Sequence, residues 1–94
     1  MTLIECQPEL DIALVGALRQ RLLDALLAGE SLEIDASAIR RAHTAALQVF
    51  LGAFVEARSL GIAIRWRDPS PALLEGARLL GLLEGLELAG TDAT

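Results

Sequence analysis

The sequence predicts a small α/β domain, because short apolar runs alternate along the chain with longer segments of helical periodicity. Strand-like runs occur at residues 3–6, 32–35 and 62–67. Each run is followed by a segment with apolar residues at i, i+3 and i+4 spacing, which is typical of an amphipathic helix. Because strands and helices alternate with short loops, we expect helices packed on a small mixed β-sheet.

Composition limits the class of protein. A chain of 94 residues makes one domain. Its net charge of −5, without any cluster of Lys or Arg, excludes a nucleic-acid surface. Hydrophobic residues make up 53% of the chain and aromatic residues only 3%, so the core must be mainly aliphatic. A mean hydropathy of +0.47 also predicts apolar surface that meets another protein.

The cellular context follows from what the sequence contains. Cys6 is the single cysteine and cannot form an internal disulfide, which is typical of a reducing compartment. No apolar run approaches the about 20 residues that span a bilayer, and no basic, apolar-cored leader is present. One His and one Cys make no metal site. We therefore expect a cytoplasmic protein with no membrane insertion, no metal and no cofactor.

The first helix is predicted over residues 12–28. Asp11 is a suitable N-cap for it and Gly29 a suitable terminator. Arg19 falls inside the apolar arc of this helix. Its side chain either extends along the rim of the domain or contacts an acidic partner or an internal carboxylate. The arc comprises Ile12, Val15, Leu18, Leu22, Leu23 and Leu26.

A strand, loop and helix organise the centre of the chain. The strand over residues 32–35 ends in Asp35, which we expect to accept N–H bonds from the loop and so position the next turn. Ile39 anchors the loop, and Thr44 begins a helix of about fifteen residues. Thr44 is either an N-cap or a phosphate carrier facing the free helix amides. The core positions of this helix are Leu47, Phe50, Leu51, Phe54 and Val55.

The pattern in the last third of the chain predicts one more strand and one more helix. Residues 62–67 alternate, with Ile62, Ile64 and Trp66 on the buried face. Ser70 caps a third helix, with Pro71 at its first position. Residues 82–88 are expected to form a helical turn and a short strand, and residues 89–94 a frayed tail. The apolar positions of the third helix are Leu73, Leu74, Ala77 and Leu80.

The stretch over residues 32–61 resembles the core of a STAS domain, the bacterial anti-sigma-factor-antagonist fold. The family pattern is an apolar strand ending in Asp, an apolar anchor, Asp-Ser/Thr-x-Gly-Leu at a helix start, and Gly after that helix. Two positions depart from it, because His43 stands where the family has Asp and Ala46 where it has Gly. The matching positions are Asp35, Ile39, Thr44, Leu47 and Gly61.

The resemblance implies one STAS-like domain over residues 1–94, with its helices mainly on one side of the sheet. It also implies a non-enzymatic signalling module that binds a cytoplasmic protein and has Thr44 as phosphoacceptor. The partner would be a serine/threonine kinase, an anti-sigma factor, another signalling protein or an ABC transporter ATPase. The residues that follow Thr44 resemble most the branch of short STAS proteins that includes the small subunit of bacterial lipid-asymmetry ABC transporters. The alternative is a constitutive transporter subunit or homodimeric scaffold in which Thr44 only caps its helix.

Catalysis and binding make different demands on these residues. Asp35, His43 and Thr44 are the only catalytic candidates, and side chains of sequence neighbours at a helix start diverge, so we expect no enzyme. His43 is either a solvent-facing loop residue or a partner contact. The helix from Thr44 carries a face of small residues that permits close approach, unless a neighbouring helix covers it. The predicted partner-binding residues are His43, Thr44, Ala45, Val49, Gly52, Ala53 and Glu56.

Overall fold

The structure, a computed structural model, describes residues 1–89. Five strands and three helices lie in these residues, and helices follow strands as the sequence predicts. The strands are β1 (Thr2–Glu5), β2 (Glu9–Leu10), β3 (Leu32–Asp35), β4 (Arg41–Ala42) and β5 (Ile64–Arg67). The helices are α1 (Ile12–Leu27), α2 (Thr44–Leu60) and α3 (Pro71–Leu79). Residues 90–94, most of the expected tail, lie outside the described residues.

The sheet confirms the α/β class. Its strand order is β1–β3–β5, and both pairings are parallel. A separate pair, β2 and β4, is also parallel. The expectation of a mixed sheet was wrong for residues 1–89. The reason is that a helix crosses over between each pair of consecutive strands in the main sheet, which returns every strand in the same direction.

The helices cover one face of the main sheet. Ile4, Ile34 and Trp66 lie side by side in register on that face, where the first two are 1% and 0% exposed. The neighbouring row on the opposite face is charged. On that face Arg67 lies diagonally across from Glu33. Arg67 Nη2 is 2.7 Å from Glu33 Oε1, an ion contact without the alignment of a hydrogen bond. The one-sided arrangement therefore places α2 against the apolar face, with Thr44 exposed at the start of the helix.

Aromatic residues join α2 to β5. The Phe50 and Trp66 ring centroids are 5.0 Å apart in an edge-on arrangement, and the Phe54 and Trp66 centroids are 5.4 Å apart in a stacked one. Trp66 Nε1 donates a hydrogen bond of 2.8 Å to the Leu86 carbonyl. Arg58 Nη2 donates one of 3.0 Å to the Gly85 carbonyl. These side-chain donors hold residues 82–88 as turns, so the strand expected there is wrong.

Several helix ends match the sequence. Asp11 Oδ1 accepts from the Leu14 amide at 3.3 Å, and Ser70 Oγ accepts from the Leu73 amide at 3.1 Å. Gly61 ends α2 with a positive φ of 70°, which a glycine adopts without steric cost. The expected first and third strands begin at Thr2 and Ile64 rather than at residues 3 and 62. Strand and helix boundaries shift by one or two residues in this way.

Three predicted core residues are exposed. Ile12 is 68%, Val55 53% and Leu80 43% exposed. Ile12 is the first residue of α1 and Leu80 the C-cap of α3, so both lie beyond the part of the helix that packs. Val55 is exposed because α1 packs against a different side of α2. The side of α2 that is buried includes Ala46, Ala53 and Ala57.

Candidate docking site at the start of α2

The loop before α2 is held by the segment that contains β2. The backbone N–H groups of Arg40 and Arg41 both donate to the Pro8 carbonyl, at 2.7 and 3.1 Å. The His43 N–H donates to the Leu10 carbonyl at 2.9 Å. These bonds fix where the chain enters α2. Sequence reasoning missed β2 and β4, since a two-residue strand leaves no periodic signal.

His43, and not Thr44, caps α2. Its Nδ1 accepts a hydrogen bond from the Ala45 N–H at 3.1 Å, and its carbonyl accepts from the Ala46 N–H at 2.9 Å. The backbone of His43 is extended, with φ −63° and ψ 149°, as an N-cap requires. Thr44 already has helical geometry as the first residue of α2, so its predicted role as the cap was wrong. Because Nδ1 accepts, the neutral ring carries its proton on Nε2.

Thr44 presents a free hydroxyl beside this cap. The residue is exposed, and within residues 1–89 its side chain has no hydrogen bond. Ala45, the next predicted contact, is half-buried. The hydroxyl therefore lies at the positive end of the α2 macrodipole with its full hydrogen-bonding capacity unused.

Charged groups of both signs surround the start of α2. A shallow cavity of about 350 Å³ is lined by Glu9, Leu10, Asp11, Arg41 and His43. Apart from Leu10 these residues are exposed. Mixed carboxylate, guanidinium and imidazole groups next to the start of α2 can form directional contacts with a protein surface.

Asp35 organises the beginning of the loop. Its Oδ1 accepts from Ser37 Oγ at 2.7 Å and from the Ser37 N–H at 3.0 Å, which confirms the predicted bond to the loop backbone. The Ser37 hydroxyl, then the Ser37 amide and the Arg67 guanidinium, lower the pKa of the Asp35 carboxyl. Within residues 1–89, none of its hydrogen bonds reaches His43 or Thr44.

The rest of the predicted binding face lines a groove between α1 and α2. Val49, Gly52, Ala53 and Glu56 contribute to a cavity of about 370 Å³ there. Ala53 is only 7% exposed, so its expected exposure was wrong. The physical reason is that α1 packs over this side of α2, the alternative considered from the sequence. Ala53 forms the floor of the groove rather than a free surface.

Arg19 lies on the other wall of the same groove. Its side chain is exposed, which agrees with an aliphatic stem that extends along the rim. The ion pairs within residues 1–89 join Arg58 to Glu87, Arg67 to Glu33 and Arg78 to Glu75. An internal carboxylate for Arg19 is therefore not found among these residues.

Within residues 1–89, no helix combines the length and apolar character that a membrane crossing requires. The same part of the chain holds no group of three His, Cys, Asp or Glu side chains placed to bind a metal ion.

The fold and site together define a small α/β domain with an exposed hydroxyl at the start of its second helix and a groove beside it. A family model described as "Mlab, STAS domain" matches residues 2–88. The chain therefore belongs to the STAS domain family. STAS domains are generally non-enzymatic modules that mediate protein–protein interactions. Comparison with curated proteins gives no match.

Proposed function

We propose that the protein is a regulatory module that binds a cytoplasmic protein through the start of α2, with Thr44 as direct contact and phosphoacceptor. The observation that supports this most is the free Thr44 hydroxyl, which the His43 cap leaves unused. The contact surface continues from His43, Thr44 and Ala45 into the groove formed by Val49, Gly52, Ala53 and Glu56.

Because His43 caps α2 and Thr44 does not, a phosphate can be added to the Thr44 hydroxyl without loss of the cap. A phosphate on Thr44 adds about 1.5 to 2 negative charges, and the helix N-terminus favours negative charge. Because His43 holds the Ala45 amide, the modified residue does not have to give up a capping bond. Phosphorylation would therefore change the partner surface while the fold persists.

The partner class remains that of the family: a serine/threonine kinase, an anti-sigma factor, another signalling protein or an ABC transporter ATPase. The second candidate function is a constitutive subunit of such a transporter or a homodimeric scaffold, in which Thr44 is never modified. The exposed Leu27 and Leu60 on the rim of the α1–α2 groove support an apolar contact in that version. The two functions differ in whether Thr44 controls affinity.

The test uses the wild-type protein and its Thr44→Ala, Thr44→Glu and Ser59→Glu variants. Ser59 is an exposed hydroxyl at the opposite end of α2 and is the matched control. The partner is captured from native lysate with the wild type, identified by mass spectrometry and titrated against all four proteins. We expect Thr44→Glu to change the dissociation constant by about tenfold or more, and Ser59→Glu to leave it unchanged.

Mass spectrometry of the protein from its native cytoplasm completes the test, with a phosphate on Thr44 as the expected result. An unmodified Thr44, together with equal affinity across the variants, would reject the switch and leave the constitutive subunit or scaffold.

A further inference from the structure

The groove between α1 and α2 has features that the site at Thr44 does not use. Its rim carries two large exposed apolar side chains, Leu27 at 82% and Leu60 at 51% exposure. Both line the groove, so the apolar surface extends beyond the cavity itself onto the outer faces of the helices. The inner apolar wall consists of Leu22, Leu23, Leu26, Val49 and Ala53.

The groove also carries one cation and one anion. Arg19 comes from α1 and Glu56 from α2, and neither takes part in the ion pairs found within residues 1–89. A surface with unpaired charges of both signs complements a second copy of itself when a two-fold axis brings the cation of one copy to the anion of the other. In a two-fold symmetric contact the same patch of both copies meets. Each cation–anion pair across the contact therefore occurs twice.

We propose that a second copy of this chain occupies the groove. A two-fold axis between the two helices places each Arg19 opposite Glu56 of the second copy, and Leu27 and Leu60 cover apolar surface of the other groove. The inference rests on the proposed function in one respect: Val49, Gly52, Ala53 and Glu56 belong to the partner surface proposed above. Self-association then conceals part of that surface, and the dimer competes with the partner complex.

The size of the face sets the strength of the contact. Helices of 16 and 17 residues are about 25 Å long at a rise of about 1.5 Å per residue. Two packed helices present a face about 20 Å wide, so each copy buries about 500 Å². Standard interfaces bury about 800 Å² per partner. The dimer is accordingly weak, reversible and dependent on concentration.

Charge reversal in the full chain tests the arrangement by analytical ultracentrifugation from about 10 μM to about 1 mM. The proteins are the wild type, Arg19→Glu, Glu56→Lys, the double variant and an equimolar mixture of the two single variants. Arg21→Glu, two residues further along α1 and exposed, is the matched control. Circular dichroism confirms that each variant is folded.

We expect the wild type to dimerise within this range and each single reversal to weaken the dimer by about tenfold or more, since like charges then face each other. Both the mixture and the double variant restore opposite pairs, and both should restore the dimer. Arg21→Glu should behave as the wild type.

A wild type that stays monomeric throughout, or single reversals that the mixture does not rescue, would overturn the dimer. An equal effect of Arg21→Glu would overturn it as well. These results are separate from the partner titration, because no partner is present. A monomer whose partner affinity still depends on Thr44 contradicts the dimer and leaves the proposed function intact.

Discussion

His43 Nδ1 accepts a hydrogen bond of 3.1 Å from the Ala45 amide, and this single contact separates two roles at the start of α2. The imidazole completes the helix end, which leaves the adjacent Thr44 hydroxyl for another molecule. The family pattern has an acidic residue at the position of His43, and Asp is also a strong N-cap. The departure therefore preserves the capping function while it replaces the carboxylate with an imidazole.

Removal of the His43 ring should destabilise the protein. His43→Ala eliminates the cap and is expected to lower the free energy of unfolding by about 0.5–2 kcal/mol, whereas His43→Asp should retain most of it. Urea denaturation measures both. Thr44→Ala is the control at the neighbouring position and should cost less than His43→Ala. A larger cost for Thr44→Ala would return the capping role to Thr44.

Ala53 and Val55 provide a paired test of how α2 packs. Ala53→Glu places a carboxylate on the floor of the α1–α2 groove, where overpacking costs about 1–3 kcal/mol. Val55 is 53% exposed, so Val55→Glu should change stability by no more than about 0.5 kcal/mol. Thermal or urea unfolding of the two variants measures this difference in stability. Equal stability of both would mean that α1 does not cover Ala53.

The same pair shows how far the sequence predicts the fold. Strand–helix alternation and the caps at Asp11 and Ser70 depend on local patterns, and these predictions are confirmed. Which side of α2 faces α1 depends on tertiary packing, and the periodicity of α2 alone placed Val55 in the core and Ala53 outside it. A helix with small residues on one side and large ones on the other has two apolar stripes, and only the neighbouring helix selects between them.

The start of α2 was also only partly predictable from the sequence. Thr44 stands at the start of α2 as expected, and Asp35 bonds to the loop as expected. The cap was assigned to Thr44 because hydroxyl side chains are the commoner N-caps, and a ring nitrogen in that role leaves no sequence signal. The β2–β4 bridge that positions His43 joins residues over 30 positions apart, which no local pattern reveals.

The Asp35 turn predicts how stability depends on acid. Its pKa is lowered in the folded state by the Ser37 hydroxyl and amide and by Arg67. The carboxylate therefore contributes stability above its unfolded pKa of about 3.9, and this contribution is lost as pH falls through the lowered folded value. Urea denaturation between pH 7 and about pH 3 should show a smaller loss for Asp35→Asn than for the wild type.

Ser37→Ala is the matched variant for this test, because it removes one donor and keeps the carboxylate. Its acid dependence should fall between the other two. Identical pH profiles for all three proteins would contradict the role assigned to the turn.

Cys6 should be unreactive in the folded protein. It is 9% exposed, and burial raises its pKa from the ordinary 9.0 to about 11. Since the thiolate is the nucleophile, labelling with a disulfide reagent at pH 8 should be slow and become fast in urea. Cys6→Ala with Gln7→Cys moves the thiol to an exposed position and should label rapidly. Equal rates for the two folded proteins would contradict the burial.

The raised pKa of Cys6 also predicts how the stability of the fold changes at alkaline pH. Below pH 9 the thiol keeps its proton in both states. Between about pH 9 and 11 the unfolded chain loses it first, so the contribution of Cys6 to stability should decline as pH rises through this window. Cys6→Ala should remove that part of the alkaline loss.

Hydrogen–deuterium exchange of the chain, free and saturated with its captured partner, tests the central claim most directly. Docking at the start of α2 predicts slower exchange on binding for amides of residues 40–48, with those of α3, residues 71–79, unchanged. The same experiment with Thr44→Glu at a partner concentration near the wild-type dissociation constant should show a different degree of protection at residues 40–48, in line with its changed affinity. Protection confined to α3 or to the charged face of the sheet, with residues 40–48 unaffected, would contradict the account.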